Sequence, residues 1–137
     1  MAESRIAKIL SANDVGATGA HQSGILVPKD PDVLSFFPLL DARHYNPRCH
    51  LQFIDDSGTS WTFAFIYYNN SLFGKGVNEY RLTRMTRYIR QAGLSAGDEL
   101  ILTRDDDRYA VTHRRMHHLD RGGRVLRLGT TWRTIQL

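Results

Sequence analysis

Residues 48–69 read RCHLQFIDDSGTSWTFAFIYYN, and this stretch predicts a β-hairpin. Its first part, 48–55, alternates between polar and apolar side chains, which is the two-residue period of a half-buried strand. Its last part, 61–69, is rich in aromatic and β-branched side chains, which favour a buried strand. The DDSGTS segment between them has the composition of a turn. We therefore expect two paired strands joined by a short loop.

Other strands and two short helices are expected on both sides of this hairpin. Strands are predicted at 5–11, at 25–28, twice within 97–115 around an acidic turn, and once or twice within 125–137. One helix should begin at Pro31, because proline favours the first turn of a helix. A second should cover TRYIRQAGL, residues 86–94, where Gly93 can end it. Seven or so strands with two short helices predict a mainly β fold, a partly open barrel built chiefly of antiparallel pairs.

Length and composition indicate one domain over residues 1–137. A chain of 137 residues can bury a single core without disulfides or metals. No apolar run approaches the roughly 20 residues of a membrane-spanning helix, and the N-terminus lacks the pattern of a secretory signal. The single cysteine, Cys49, excludes an internal disulfide and is expected to be a strand residue. We expect a cytoplasmic protein with no membrane partner.

Two long segments lack a strand or helix pattern, namely 12–24 and 70–85. Compact domains rarely carry a dozen structureless residues without a functional reason. The first segment is rich in Gly, Asn and Ser, yet it lacks the Lys and Ser/Thr pair of a P-loop and the spacing of a dinucleotide-binding loop. Both segments are therefore candidate binding arms, although a flexible connection is the alternative for 12–24.

The net charge of +4 is concentrated in residues 75–90. This segment has five basic residues and one acid, Glu79, whereas the remaining 13 basic and 13 acidic residues cancel. Such concentration is typical of a nucleic-acid contact. Arginine also outnumbers lysine by 15 to 3, and the planar guanidinium suits phosphate and guanine recognition.

The acid within this basic segment has two possible explanations. In the major groove guanine offers acceptors that Arg or Lys can engage, whereas cytosine offers a donor that Glu can accept. On an extended backbone Lys75, Val77, Glu79 and Arg81 share one face, so Glu79 and Arg81 could contact adjacent bases. The alternative is that Glu79 pairs with Arg81 or Arg84 on a solvated surface.

Catalytic and metal sites are not expected. The histidines and the cysteine that could suggest zinc are His44, Cys49, His113, His117 and His118. No HExxH or paired CxxC motif accompanies them, and Arg114 and Arg115 would repel a cation. Aspartates 105–107 are expected to form a turn. A nuclease of the PD-(D/E)xK type needs an acid two residues before its lysine, and none of the three lysines has one.

Two blocks identify a family resemblance. LSANDVGATGAHQSGILVPK, at 10–29, and IYYNNSLFGKGVNEYRLTR, at 66–84, closely resemble the N-terminal effector-DNA-binding domain of EcoRII-type restriction endonucleases. Those domains belong to the DNA-binding pseudobarrel superfamily, which plant auxin-response transcription factors share. The resemblance implies a seven-stranded open pseudobarrel that binds double-stranded DNA in the major groove, at a CCWGG-like site in which W is A or T.

The resemblance also implies a set of contact residues. The N-arm would span about 11–24 and the C-arm about 69–87, and His21, Lys75, Glu79 and Arg81 would contact bases. Residues that would support the arms or touch phosphate are Lys8, Asn13, Thr18, Gln22, Asn78, Arg84 and Arg87. The compared family member has an arginine where this chain has Val77, so one contact differs.

The expected function is sequence-specific DNA binding without catalysis, metal or cofactor. In the family this domain is covalently joined to a separate catalytic domain, which is absent from these residues, and Mg²⁺ is expected only for that domain. The parent protein would be a prokaryotic type II restriction endonuclease. The alternatives are a small nuclease in its own right and a regulatory nucleic-acid-binding protein with the same barrel.

Overall fold

The computed structural model describes residues 3–16, 24–69, 78–116 and 132–135, and in them one curled sheet surrounds an aromatic core. The strands are β1 Glu3–Ile9, β2 Ile25–Val27, β3 Arg48–Ile54, β4 Ser60–Asn69, β5 Asn78–Thr83, β6 Glu99–Asp105, β7 Arg108–Arg114 and β8 Trp132–Thr134. The helices are α1 Pro31–Leu34 and α2 Thr86–Ala92. Neither described helix is long and apolar enough to cross a membrane.

The sheet has the strand order β2-β5-β4-β3-β7-β6-β1-β8. Neighbouring strands are antiparallel except β3 and β7, where Phe53 lies opposite Tyr109 in a parallel pair. Strands β2 and β8 are the two edges, and the Trp132 Nε1–H donates to the Leu26 carbonyl oxygen at 2.9 Å. This bond brings the two edges together, so the sheet forms a partly closed barrel.

The predicted hairpin is confirmed as β3 and β4, which pair from Arg48 opposite Ile66 to Ile54 opposite Ser60. Strand β3 alternates as predicted, with Leu51 and Phe53 buried. In β4 the residues from 63 to 66 are all buried, and the ring of Phe63 contacts Tyr88 of helix α2. The hairpin therefore provides the central wall of the barrel.

Both predicted helices are present. The Asp30 side chain accepts a hydrogen bond from the Asp32 N–H at 2.9 Å, which caps the start of α1. Just after α1, the Phe37 ring stacks on Phe65 of β4 with centroids 4.3 Å apart. Helix α2 ends at Gly93 in the left-handed conformation, φ 64°, the backbone that glycine adopts without a Cβ penalty.

Two details differ from the sequence-based expectation. The described residues form eight strands rather than the expected seven. The expectation that 70–85 lacks regular structure is wrong for Asn78–Thr83, which form β5. Strand β5 lies between β2 and β4, and Leu82 is fully buried there. The charged residues Glu79 and Arg81 alternate with Tyr80 and Leu82, so the two-residue period of a half-buried strand is present in the sequence, although it is short. Residues 125–131, where a further strand was possible, lie outside the described residues.

The turn of the central hairpin is organised by Asp55. Its carboxylate accepts hydrogen bonds from the Trp61 indole (2.8 Å), the Ser57 hydroxyl (2.7 Å) and two backbone N–H groups. The Trp61 and Ser57 bonds lower the pKa of Asp55 from 3.8 to about 2. A lowered pKa in the folded state contributes stability that is present above the unfolded value and lost as pH falls through the folded one.

We therefore expect the free energy of unfolding to fall between about pH 4 and pH 2 partly because Asp55 becomes protonated. The Asp55→Asn variant should lose that part of the pH dependence, and it should be less stable than wild type at pH 6. Urea unfolding at several pH values measures both effects. The control is Asp107→Asn, which removes a carboxylate from the β6–β7 turn. If the free energy of unfolding changed equally with pH in wild type and in Asp55→Asn, the pH dependence would not arise from Asp55.

Candidate nucleic-acid interface

The two predicted arms emerge side by side from the sheet. The structure describes their stems, namely 11–16 and Gly24 of the N-arm, and Asn69 and 78–87 of the C-arm. The N-arm returns into β2 and the C-arm into β5, and these strands pair directly, with Leu26 opposite Arg81. The predicted contact residues Thr18, His21, Gln22 and Lys75, together with Val77, lie outside the described residues.

The outgoing stem of the N-arm is held by a buried ion pair. The Lys8 Nζ donates to Asp14 Oδ2 at 2.6 Å, and both side chains are less than one-tenth exposed. Asp14 and Ser11 also exchange side chain to backbone hydrogen bonds of 3.0 Å each, while the Asn13 carbonyl accepts from the Gly16 N–H. A buried charge is tolerated when it is paired in this way. The ion pair therefore joins β1 to the N-arm stem and leaves the Lys8 ammonium group little exposed.

The returning stem of the N-arm needs a glycine. Gly24 has φ +93°, and a Cβ there would lie 2.7 Å from both the Leu82 carbonyl oxygen and the Thr83 Cγ2. The Gly24 carbonyl accepts a hydrogen bond from Arg81 Nη1 at 3.0 Å. The N-arm backbone thus returns to the sheet in direct contact with β5.

The C-arm stem is anchored by Asn69, which is fully buried and lies opposite Asn78. Its Nδ2 donates to the carbonyl oxygens of Ala42 (3.0 Å) and His44 (2.6 Å). Its Oδ1 accepts from the Asn46 N–H at 2.9 Å, and its own N–H donates to Asn46 Oδ1. These bonds fix the loop before β3 against the point where the C-arm leaves β4.

Glu79 and Arg81 form the ion pair that one of the two explanations predicted. Arg81 Nε donates to Glu79 Oε2 at 2.8 Å, with the side chains 21% and 32% exposed respectively. Because Arg81 also bonds Gly24, its side chain links the two arms. Both residues remain partly accessible between the arms, so the ion pair does not preclude base contacts.

A cavity of about 320 Å³ lies between the two stems. It is lined by Asp14, Gly24, Ile25, Arg48, Ile66, Tyr68, Thr83, Arg84, Met85 and Thr86. Arg84 is exposed and has a positive φ of 67°, a conformation that is uncommon outside glycine. Arg87 is exposed on the first turn of α2. Within the described residues, neither arginine forms an ion pair.

Sequence reasoning missed two residues near the arms, Arg48 and Leu26. Arg48 opens β3 opposite Ile66 and is exposed. The alternation of β3 could have shown that Arg48, His50 and Gln52 share its outward face. Leu26 is 47% exposed beside Arg81, and no sequence signal distinguished it from the buried residues on either side.

The residues considered for metal binding are dispersed. Among the described residues no group of three His, Cys, Asp or Glu side chains is placed to hold a metal ion. The His113 Nδ1 lies 3.0 Å from the Tyr88 hydroxyl, and burial raises the pKa of Tyr88 to about 12. Cys49 is in β3, and Asp106 and Asp107 form the predicted β6–β7 turn, while Asp105 is the last residue of β6. His117 and His118 lie outside the described residues.

Comparisons with known proteins point to one family. The family model "Restriction endonuclease EcoRII, N-terminal" matches residues 3–110. The type II restriction enzyme EcoRII of Escherichia coli is 44% identical over 81 residues, which are 56% of this chain and 20% of that protein. A putative B3 domain-containing protein of Oryza sativa subsp. japonica is 33% identical over 119 residues, which are 85% of this chain and 35% of that protein.

A solved structure has the same fold. The Arabidopsis FUS3–DNA complex superposes with a TM-score of 0.61 at 20% identity, over 80% of this chain and 94% of that chain. This likeness confirms the predicted pseudobarrel architecture. The matched regions span about one fifth and one third of the lengths of the two curated relatives.

The close approach of Gly24 to β5 gives a test of the arm stem. Gly24→Ala should lower the free energy of unfolding by about 2 to 4 kcal/mol, from the left-handed backbone and from overpacking against Leu82. Gly16→Ala is the matched control, because Gly16 has φ +80° but no atom within 4 Å of the added Cβ. It should cost about 1 kcal/mol. Equal losses in urea unfolding would show that the packing at Gly24 is unimportant.

Proposed function

Because this chain belongs to the family of EcoRII restriction endonuclease N-terminal domains, we propose that it binds double-stranded DNA sequence-specifically, with both arms in the major groove. The observation that carries the proposal is the Arg81 side chain, which bonds Glu79 on the C-arm stem and Gly24 on the N-arm stem. One guanidinium therefore sets the spacing of the two arms. The major groove is about 12 Å wide and admits an α-helix or a two-stranded β-ribbon.

The chemistry of the Glu79–Arg81 pair favours a site that contains G·C base pairs. Arg81 uses Nε and one Nη1 hydrogen within the described structure, and its remaining donors match the two acceptors of guanine. Glu79 keeps Oε1 available beside it, and that oxygen matches the N4 amine of cytosine. The pair holds both side chains in place before DNA binds, which reduces the entropy lost on binding. We infer a CCWGG-like target, with His21 and Lys75 as the other base contacts.

Phosphate contacts are assigned to the exposed arginines beside the arms. Arg84 and Arg87 project from the segment that follows β5, and Arg48 lines the same cavity as Arg84. Asn13, Thr18, Gln22 and Asn78 are proposed to support the arms or to touch the backbone. Since each neutralised phosphate releases counterions, binding should weaken steeply with salt.

The domain is proposed to act without catalysis, as the effector domain of a larger type II restriction endonuclease. Its match to only one fifth of the Escherichia coli enzyme supports a separate catalytic domain, which alone would need Mg²⁺. A regulatory DNA-binding protein is the second candidate, because the rice B3 relative matches 85% of the chain. Incubation with plasmid and Mg²⁺ tests for a nuclease within these residues, and a selection from random duplexes identifies the site. Competition by RNA or single strands that equals competition by duplex DNA would contradict the proposal.

Arg81→Ala should weaken binding to the selected duplex by about 1 to 3 kcal/mol and relax discrimination at one base pair. The variant also loses the hydrogen bond to the Gly24 carbonyl, which should weaken binding further because the N-arm is held less firmly. Arg108→Ala is the charge-matched control, because Arg108 is exposed at the β6–β7 turn. Fluorescence anisotropy with cognate and scrambled duplexes measures the effect. Equal losses on both duplexes would make Arg81 a general electrostatic contact.

Glu79→Gln separates the two explanations of the acid. If Glu79 contacts cytosine, the variant should bind scrambled DNA more tightly, because one negative charge is removed, and should discriminate less well between the cognate site and single-base variants. The ratio of the dissociation constants for the cognate site and for its single-base variants measures this discrimination. A uniform gain on all duplexes with an unchanged ratio would leave Glu79 only its ion pair with Arg81.

A further inference from the structure

A second cavity lies between the start of β4 and the last residues of the C-arm stem. Its volume is about 510 Å³, and it is lined by Thr59, Ser60, Trp61, Thr62, Arg84, Thr86 and Arg87. The lining carries four hydroxyl groups and two guanidinium groups, and it includes no carboxylate. Hydroxyl and guanidinium donors are the groups that proteins direct at phosphate oxygens. The chemistry of the lining therefore suits a phosphodiester.

The carboxylate of Asp55, which is bonded to this lining, accepts hydrogen bonds at both of its oxygens. Asp55 accepts the Trp61 indole through Oδ2, and its Oδ1 accepts the N–H groups of Ser57 and Thr59. Arg84 and Arg87 form no ion pair with any described acid. Within the part of the chain that the structure describes, the two guanidinium groups can therefore attract an anion without first breaking an ion pair.

This cavity is continuous with the arm stems. Arg84 and Thr86 line both cavities, and Ser60, Thr62, Ile66 and Tyr68 lie on the same face of β4 by the two-residue alternation. Thr62 is six residues from Tyr68, so about 20 Å of strand separates them at roughly 3.3 Å per residue. At about 3.4 Å of axis per base pair, that is roughly six base pairs of duplex.

We propose that this cavity binds the sugar-phosphate backbone of DNA that flanks the recognition site, with the hairpin residues on its far side reaching several base pairs beyond Tyr68. The inference rests on the proposed function, because it assumes that the arms engage a duplex. It adds a contact that carries no sequence information and extends the footprint to one side. The bases beneath this contact can then be of any sequence.

Duplex length provides the test. Wild-type protein and Arg87→Ala are compared on a cognate duplex with about ten flanking base pairs on each side and on one with about two, which is too short to reach the cavity. On the long duplex Arg87→Ala should bind several-fold more weakly, with the slope of log K against log salt reduced by about one. On the short duplex its effect should vanish, because removing the flank has already removed the contact.

Two further variants complete the experiment. Thr62→Glu places a carboxylate in the cavity, so it should repeat the length-dependent loss without removing an arginine. Arg108→Ala should have no length-dependent effect. Equal effects of Arg87→Ala and Thr62→Glu on both duplexes, or no effect on either, would overturn the flank contact. If binding depended on the length of the flank but showed no preference for the cognate sequence, the result would instead count against base recognition by the arms.

Discussion

The structure depends on the insertion of β5 between β2 and β4. Leu82 fixes this position, because it is fully buried and lies opposite Phe65 of β4 and Ile25 of β2. The N-arm returns into β2 and the C-arm into β5, so two arms that are some 50 residues apart in sequence return to hydrogen-bonded neighbours. A slip of one residue would turn Leu82 outward and Arg81 inward. The register that completes the core therefore also positions the arms.

The charges near the arms have separate roles because of where they lie. Lys8 and Asp14 are buried and neutralise each other, so they shape the N-arm stem without adding to the exposed charge. Glu79 and Arg81 are paired but partly exposed, and they stand between the arms. Arg84 and Arg87 are exposed and form no ion pair within the described ranges. A basic segment that contains one acid is thus divided into a positioned pair and a set of exposed arginines, which we propose bind phosphate.

Much of the fold could be predicted from local pattern. The β3–β4 hairpin follows from the alternation at 48–55 and the aromatic strand at 61–69, and α2 ends at Gly93 as expected because only a left-handed residue closes it there. Strand β5 was not predicted, because the alternation of Glu79 and Arg81 with Tyr80 and Leu82 is too short to distinguish a paired strand from an extended loop, and only the neighbouring strands decide between them. The burial of Lys8 could not be predicted either, because it depends on an ion pair with Asp14, six residues later.

The sequence by itself determined the family, the central hairpin, both helices and the concentration of positive charge, because each of these is a local pattern or a contiguous motif. Only the tertiary structure decided that Arg81 donates to the Gly24 carbonyl, that Asn69 anchors the C-arm stem, and that Trp132 links β8 to β2. These contacts connect residues up to 106 positions apart. Side-chain spacing along a chain cannot specify such pairs, because sheet order and register bring them together.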